Sequence, residues 1–185
     1  IHSFPSCRPF PKTIAGEREA ADAALELAEE VELLLVGGPA LHRRIKERVS
    51  ASMPVHYVPV TDAGLNSALF RALRAGLLQR GVSTDSLTDV MIKRTLRDLE
   101  IEQLHFVNYD GPAYASADSV AAFHADAYSE GRTSVAVTAM EAVAERLRAR
   151  GIPCELLHPS DQDIVVALER ALLSTETRRS KERQI

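Results

Sequence analysis

Two stretches decide the reading of this chain: LLLVGGPALHRRI, residues 33–45, and SVAVTAMEAVAERL, residues 134–147. Each is a short apolar run, a break at small residues, then a segment whose apolar positions recur at helical spacing. A strand that leads through a tight turn into a helix is the repeating unit of parallel α/β architecture. The run from Leu33 to Val36 suits a strand covered on both faces, and Leu41, Ile45 and Val49 continue the pattern as a helix.

Working outward, the same alternation fills the chain. AGEREAADAALELAEE (15–30) predicts a helix, VHYVPV (55–60) a strand rich in β-branched and aromatic residues, and the segment from Leu65 to Leu73 another helix. Further on, VSTDSLTDVMIKRTLRDLEI (82–101) supplies a strand and a helix, and QLHFVNYD (103–110) a strand. A helix follows in SADSVAAFHADAYSEG (116–131), then a strand in TSVAVTA (133–139) and a helix in MEAVAERLRARG (140–151). IPCELLHP (152–159) and SDQDIVVALERALL (160–173) close the pattern with a strand and a final helix. The expected fold class is α/β, with parallel sheets flanked by helices.

The second half also reads as a copy of the first. A slide of 99 residues sets Met53-Pro54-Val55 on Ile152-Pro153-Cys154, Thr61-Asp62 on Ser160-Asp161, and Leu69 on Leu168. A slide of 101 sets Gly37-Gly38 on Thr138-Ala139. Two similar lobes with a cleft between them are expected: a first lobe over 1–80, a second over 81–175, and a polar tail or linker over 176–185. The first copy lacks the strand and helix that open the second, which suggests a piece of a longer parent.

Composition narrows the function classes. A formal net charge of −4, from 22 basic and 26 acidic residues, gives no footprint for gripping a phosphate backbone. No apolar run approaches the roughly 20 residues that span a bilayer. Cys7 and Cys154 are the two cysteines, too few for a disulfide framework, and a cytoplasmic setting is expected. The six histidines lack zinc-site spacing, and no metal or cofactor is expected.

Ligands of parallel α/β sheets bind beyond the carboxyl ends of the strands, where helix N-termini favour anions. The candidate binding residues are therefore those of the strand exits: Gly37, Gly38, Pro39, Thr61, Asp62, Tyr109, Asp110, Thr138, Met140, His158 and Ser160. Paired glycines permit close approach to a ligand, but the spacing matches neither a P-loop nor a dinucleotide fingerprint. Thr61 and Ser160 also suit helix capping, the latter with Asp163 in a capping box. His42 and His124 read as exposed helix residues, and His56 and His105 as packed strand residues. His158 alone stands at a strand exit as an acid or base.

The stretches ELAEEVELLLVGGPA, MPVHYVPVTDAGLNSALFRALRAG and GRTSVAVTAMEAVAERLRARGIP, in this order, are similar to the ligand-sensing domain of bacterial transcriptional regulators, of the kind attached to propionate-catabolism activators. The resemblance covers roughly residues 15–175 and rests on pattern and order. It implies a two-lobed, periplasmic-binding-protein-like sensor for a small-molecule effector, anionic by the helix-terminus argument. DNA would be reached only through a separate domain. The apolar face of residues 65–78 suits either core or a homodimer contact. The alternative is a racemase or isomerase on a duplicated α/β fold, which needs one thiol from each lobe; under the repeat Cys7 falls near Phe106 and Cys154 near Val55, so they are not partners. No catalytic residue is assigned.

Overall fold

The computed structural model describes residues 7–14, 19–112 and 115–182. Six short strands and seven helices alternate along them: α1 (Ala20–Ala28), β1 (Leu34–Val36), α2 (Pro39–Lys46), β2 (Val55–Tyr57), α3 (Asp62–Arg74), β3 (Gly81–Thr84), α4 (Asp89–Asp98), β4 (His105–Asn108), α5 (Ala117–Ser129), β5 (Val135–Thr138), α6 (Glu141–Ala149), β6 (Cys154–Leu156) and α7 (Asp161–Glu182). The strands form two sheets, one of two strands and one of four, and every pairing is parallel. The chain is thus an α/β protein with two helix-flanked parallel sheets.

Two compact units divide the chain, one of residues 1–59 and 159–185, the other of residues 60–158. In the first, β1 and β2 pair with Leu34 opposite Val55 and Val36 opposite Tyr57. Ala20, Ala24, Leu34, Ile45, Val49 and Val55 form its core. Leu35 and Val36 are only half-buried, so β1 is less covered than its apolar run suggests. Helix α7 belongs to this unit, and the His56 ring, through Nε2, donates to Ser174 Oγ at 3.1 Å.

The second unit holds the four-stranded sheet, in the order β4-β3-β5-β6. Successive side chains of a strand point to opposite faces, and β5 shows it. Val135 and Val137 join Val82, Leu157 and the α3 residues Leu65, Leu69 and Ala72 in one core cluster, with Met91 and Leu96 of α4 against it. Ala136 joins Val120, Ala121, Val143 and Leu147 of α5 and α6 on the other face. This is a doubly wound sheet with helices on both sides. Leu65 and Leu147 are fully buried, so shortening either to Ala costs about 2–5 kcal/mol.

Three departures from the sequence reading follow from packing. The units do not follow the linear division at residue 80: α3 lies with residues 60–158, where Arg71 donates to Glu155 at 2.7 Å and to the Leu156 carbonyl at 2.9 Å, anchoring the helix on β6. Of the segment 176–185, expected as a polar tail or linker, residues 176–182 are helical, because α7 runs on without a breaker through its polar end, and 183–185 lie outside the described residues. His124 is fully buried and His42 half-buried, whereas His105 is exposed at the start of β4. Val120, His124 and Ala127 share one helical face, and that face packs on the sheet.

Candidate functional site

In the four-stranded sheet, β3 leads through α4 to β4 on one side, and β4 leads through α5 across to β5 on the other side of β3. The direction of winding reverses between β3 and β5, and their carboxyl ends diverge into separate loops. Such a switch point is where open α/β sheets receive ligands.

A buried network occupies this point. The Asp85 side chain follows β3 and is 2% exposed. Its Oδ2 accepts from Thr138 Oγ1 at 2.6 Å and from the His124 ring at Nε2 at 3.2 Å; its Oδ1 accepts from the Ser86 hydroxyl. His124 Nδ1 lies 2.7 Å from Ser83 Oγ. The neutral tautomer that satisfies both contacts carries its proton on Nε2 and accepts the Ser83 hydroxyl at Nδ1. Ser86 Oγ in turn accepts the Ala139 backbone N–H at 3.0 Å, and Thr138 Oγ1 accepts that of Met140 at 3.0 Å. The β3–α4 and β5–α6 loops are therefore tied together through one carboxylate. Hydrogen bonds to a charged acceptor are each worth about 1.5–3 kcal/mol.

The order of groups resembles a serine, histidine and aspartate relay, yet it is not a nucleophilic centre. Ser83 sits within β3, opposite Val107 and Ala136, and is 1% exposed, so no substrate reaches its oxygen. The network instead fixes loop positions. Around it the rim is open: Asp89, Asp110 and Ala139 are exposed, and Ser86, Tyr109 and Met140 half-buried. The Tyr109 N–H donates to the Thr84 carbonyl at 2.8 Å, and its ring meets Phe123 edge-on at 5.3 Å, which holds this tyrosine beside the end of β3.

Of the residues singled out from sequence, Tyr109, Asp110, Thr138 and Met140 share this rim, and His158 is exposed at the exit of β6. Thr61 precedes α3 but makes no side-chain cap, contrary to the capping expectation, and Asp62 pairs with Arg94 of α4. Gly37, Gly38 and Pro39 make the turn from β1 into α2, with Pro39 in its first turn; a Cβ at Gly37 or Gly38 would meet nothing within 4 Å. Ser160 forms the expected capping box: its Oγ accepts the Asp163 N–H at 3.2 Å, and its own N–H donates to Asp163 Oδ2 at 2.8 Å. Gly37, Gly38, Pro39 and Ser160 belong to the first unit, and Thr61, Asp62 and His158 to the second.

Sequence reasoning missed Ser83, Asp85, Ser86 and His124. A signal for them existed: STDS at a strand exit, and a histidine at positions i+4 and i−3 from Val120 and Ala127. Cys154 sits in β6 with its thiol pushed up to about 11 by burial, the opposite of the activation a paired-thiol isomerase requires. Among the described residues no group of three or more His, Cys, Asp or Glu side chains is placed to hold a metal ion, and no helix is long and apolar enough to cross a membrane.

No protein-family model matches the chain, and no curated protein matches it either. Among solved structures it is similar to an NtrC family transcriptional regulator from Clostridium acetobutylicum, at 20% identity with a TM-score of 0.66, over 86% of this chain and 79% of that one. An unliganded arylmalonate decarboxylase aligns over 84% of this chain and 75% of that one, at 16% identity, but its TM-score of 0.37 is too low to indicate a common fold. The first of these supports the fold described above.

Proposed function

We propose that this chain is a small-molecule-sensing regulatory domain of a bacterial transcriptional regulator, akin to those of propionate-catabolism activators, acting in the cytoplasm. The observation that carries the reading is the tie between the β3–α4 and β5–α6 loops, placed at the switch point of the four-stranded sheet. Ser86, Tyr109, Asp110, Ala139 and Met140 are the contacts in this reading, with Asp85, His124 and Thr138 holding them in position. The solved regulator from Clostridium acetobutylicum lends support through its fold. Ser160 has a capping partner that accounts for it without a ligand.

A sensor works by differential affinity: an effector that prefers one arrangement of these loops raises the population of that arrangement. Output then passes to a module other than these residues, in keeping with the acidic net charge of −4. A homodimer is part of the same proposal, with α3 as its contact, where Phe70 and Leu73 are exposed one helical turn apart.

The test is a thermal-shift screen against classes of central metabolites at constant pH and salt. An effector at 100 times its Kd stabilises by about 2.7 kcal/mol, which for a chain of this size raises Tm by roughly 5–10 °C. The rise is expected to shrink in Ser86→Ala. A screen in which no class raises Tm would sink the sensor reading.

A further inference from the structure

The rim of the four-stranded sheet has a polarity that its hydrogen bonds determine. We infer that the effector meets this rim through hydrogen-bond donors, a hydroxyl or an ammonium group, and not through a carboxylate or phosphate. The inference rests on the site proposed above and names its ligand class.

The destination of each hydroxyl proton sets this polarity. Ser86 and Thr138 both commit their hydroxyl protons to Asp85, so neither has a proton to give, and the half-buried Ser86 offers a ligand only oxygen lone pairs. The neighbouring backbone donors, the N–H groups of Ala139 and Met140, are already taken by those same two oxygens. At the end of β4, opposite Thr84, the Asn108 amide donates through Nδ2 to Asp89, while its buried Oδ1 has no donor among the described residues. A buried acceptor without a partner is costly, and a ligand N–H or O–H would relieve it.

Charge points the same way. The loop segments 84–91, 107–112 and 136–142 contain Asp85, Asp89, Asp110 and Glu141, and no Lys, Arg or His. The helix N-termini that favour anions elsewhere are compensated here. Thr88 caps α4 by accepting the Met91 N–H, Ser116 caps α5 by accepting that of Ser119, and Asp89, Asp118 and Glu141 occupy the first turns of α4, α5 and α6. On α6, Arg146 pairs with Asp118 at 2.6 Å and Arg148 with Glu141 at 2.9 Å, and on α4 Arg94 pairs with Asp62. An anionic effector, expected from the helix termini alone, thus meets acceptors and negative charge, whereas a donor meets the complement.

Three probes with the same four-carbon chain separate the cases: putrescine, butane-1,4-diol and succinate. Each is titrated into the 185-residue chain at constant pH and ionic strength while backbone amide resonances are followed by NMR. Putrescine or the diol is expected to shift the amides of residues 85–88 and 138–140 saturably, with no saturable shift from succinate. Asp85→Asn, which removes the charge and the acceptor arrangement, is expected to weaken putrescine at least tenfold. Ser86→Ala, a smaller change that leaves the Asp85–His124 pair in place, is expected to weaken the diol as well.

Succinate binding more tightly than both other probes, and lost in Ser86→Ala, would overturn the donor assignment and leave the site standing. Probe binding that leaves these amides unmoved and survives Ser86→Ala would remove the site itself, and the inference with it. Saturable binding by none of the three also overturns the donor assignment. Amide dispersion in each variant shows directly whether it is folded.

Discussion

The turns Gly37-Gly38 and Thr138-Ala139 occupy corresponding places, each closing an apolar strand and opening a helix, yet they are built by opposite means. The first is bare: a Cβ at either glycine has open space around it. The second is wired, with Thr138 fully buried on Asp85 and the Ala139 N–H on Ser86. The difference lies in the neighbouring strand. β5 runs between β3 and β6, so β3 brings Asp85 and Ser86 alongside its exit, whereas among the described residues β1 pairs with β2 alone. A loop becomes fixed in position when an adjacent strand ends in a group that can fasten it.

The comparison breaks most readily at Gly81, the first residue of β3. A Cβ there would come 2.6 Å from the Arg132 carbonyl oxygen and 3.1 Å from that of His105, both backbone atoms that cannot swing aside. Gly81→Ala is expected to cost about 3 kcal/mol or more in urea unfolding, since β3 must shift to relieve the overlap. Gly37→Ala, at the bare turn, is expected to change stability by no more than about 0.5 kcal/mol. Equal losses in the two variants would mean that the two turns are not built differently.

The wiring itself comes next in size. His124→Ala leaves the buried Asp85 carboxylate short of a donor and opens a void against Ser83, so a loss of about 2–4 kcal/mol is expected. A double-mutant cycle between His124→Ala and Asp85→Asn should give a coupling above about 1 kcal/mol, as is usual for partners in one network. Additive losses would mean the two side chains do not act together.

A smaller effect distinguishes the strand pair Val55–Tyr57 and Cys154–Leu156, which lie 99 residues apart in the chain. Burial lifts the Cys154 thiol from its ordinary 9.0 to about 11, so its thiolate fraction at pH 8 falls about 100-fold. Alkylation of Cys154 in the folded protein should be correspondingly slow, and denaturant should restore the ordinary rate. Fast labelling of the native chain would place this thiol in a more open setting.

The smallest expected effect concerns His56, the residue of the first strand pair that contacts α7. Partial burial, together with the charges of His42 and Lys46, lowers its pKa below 6.5, so the unfolded chain binds the proton more readily. Stability from this group is full above pH 6.5 and declines as pH falls toward its folded pKa. His56→Gln should flatten the Tm profile below pH 6.5. An unchanged slope would assign the acid sensitivity elsewhere.

Much of the element plan was readable from local pattern. Helical spacing at Leu65, Ala68, Leu69 and Ala72 marks the face of α3 that is buried, and the Ser160 and Asp163 box marks the start of α7. Of the proposed site, the sequence pointed to Tyr109, Asp110, Thr138 and Met140 because each lies at or just beyond the end of a strand, a property of nearest neighbours along the chain. It did not identify Asp85 and His124, whose importance depends on one another and on Thr138, residues 39 and 53 positions from Asp85.

Local pattern along the chain is enough to specify the alternation of strand and helix, since side-chain period and turn chemistry act over a few residues. Which strand lies beside which, and which unit each connecting helix joins, depends on packing between distant segments. Strand order brings β3 against β5 although α4, β4 and α5 separate them in the chain, and that long-range pairing turns an aspartate, a histidine and two hydroxyls into one buried network. Hydrogen bonds act over about 3 Å of space whatever the distance along the chain, so no local pattern announces them.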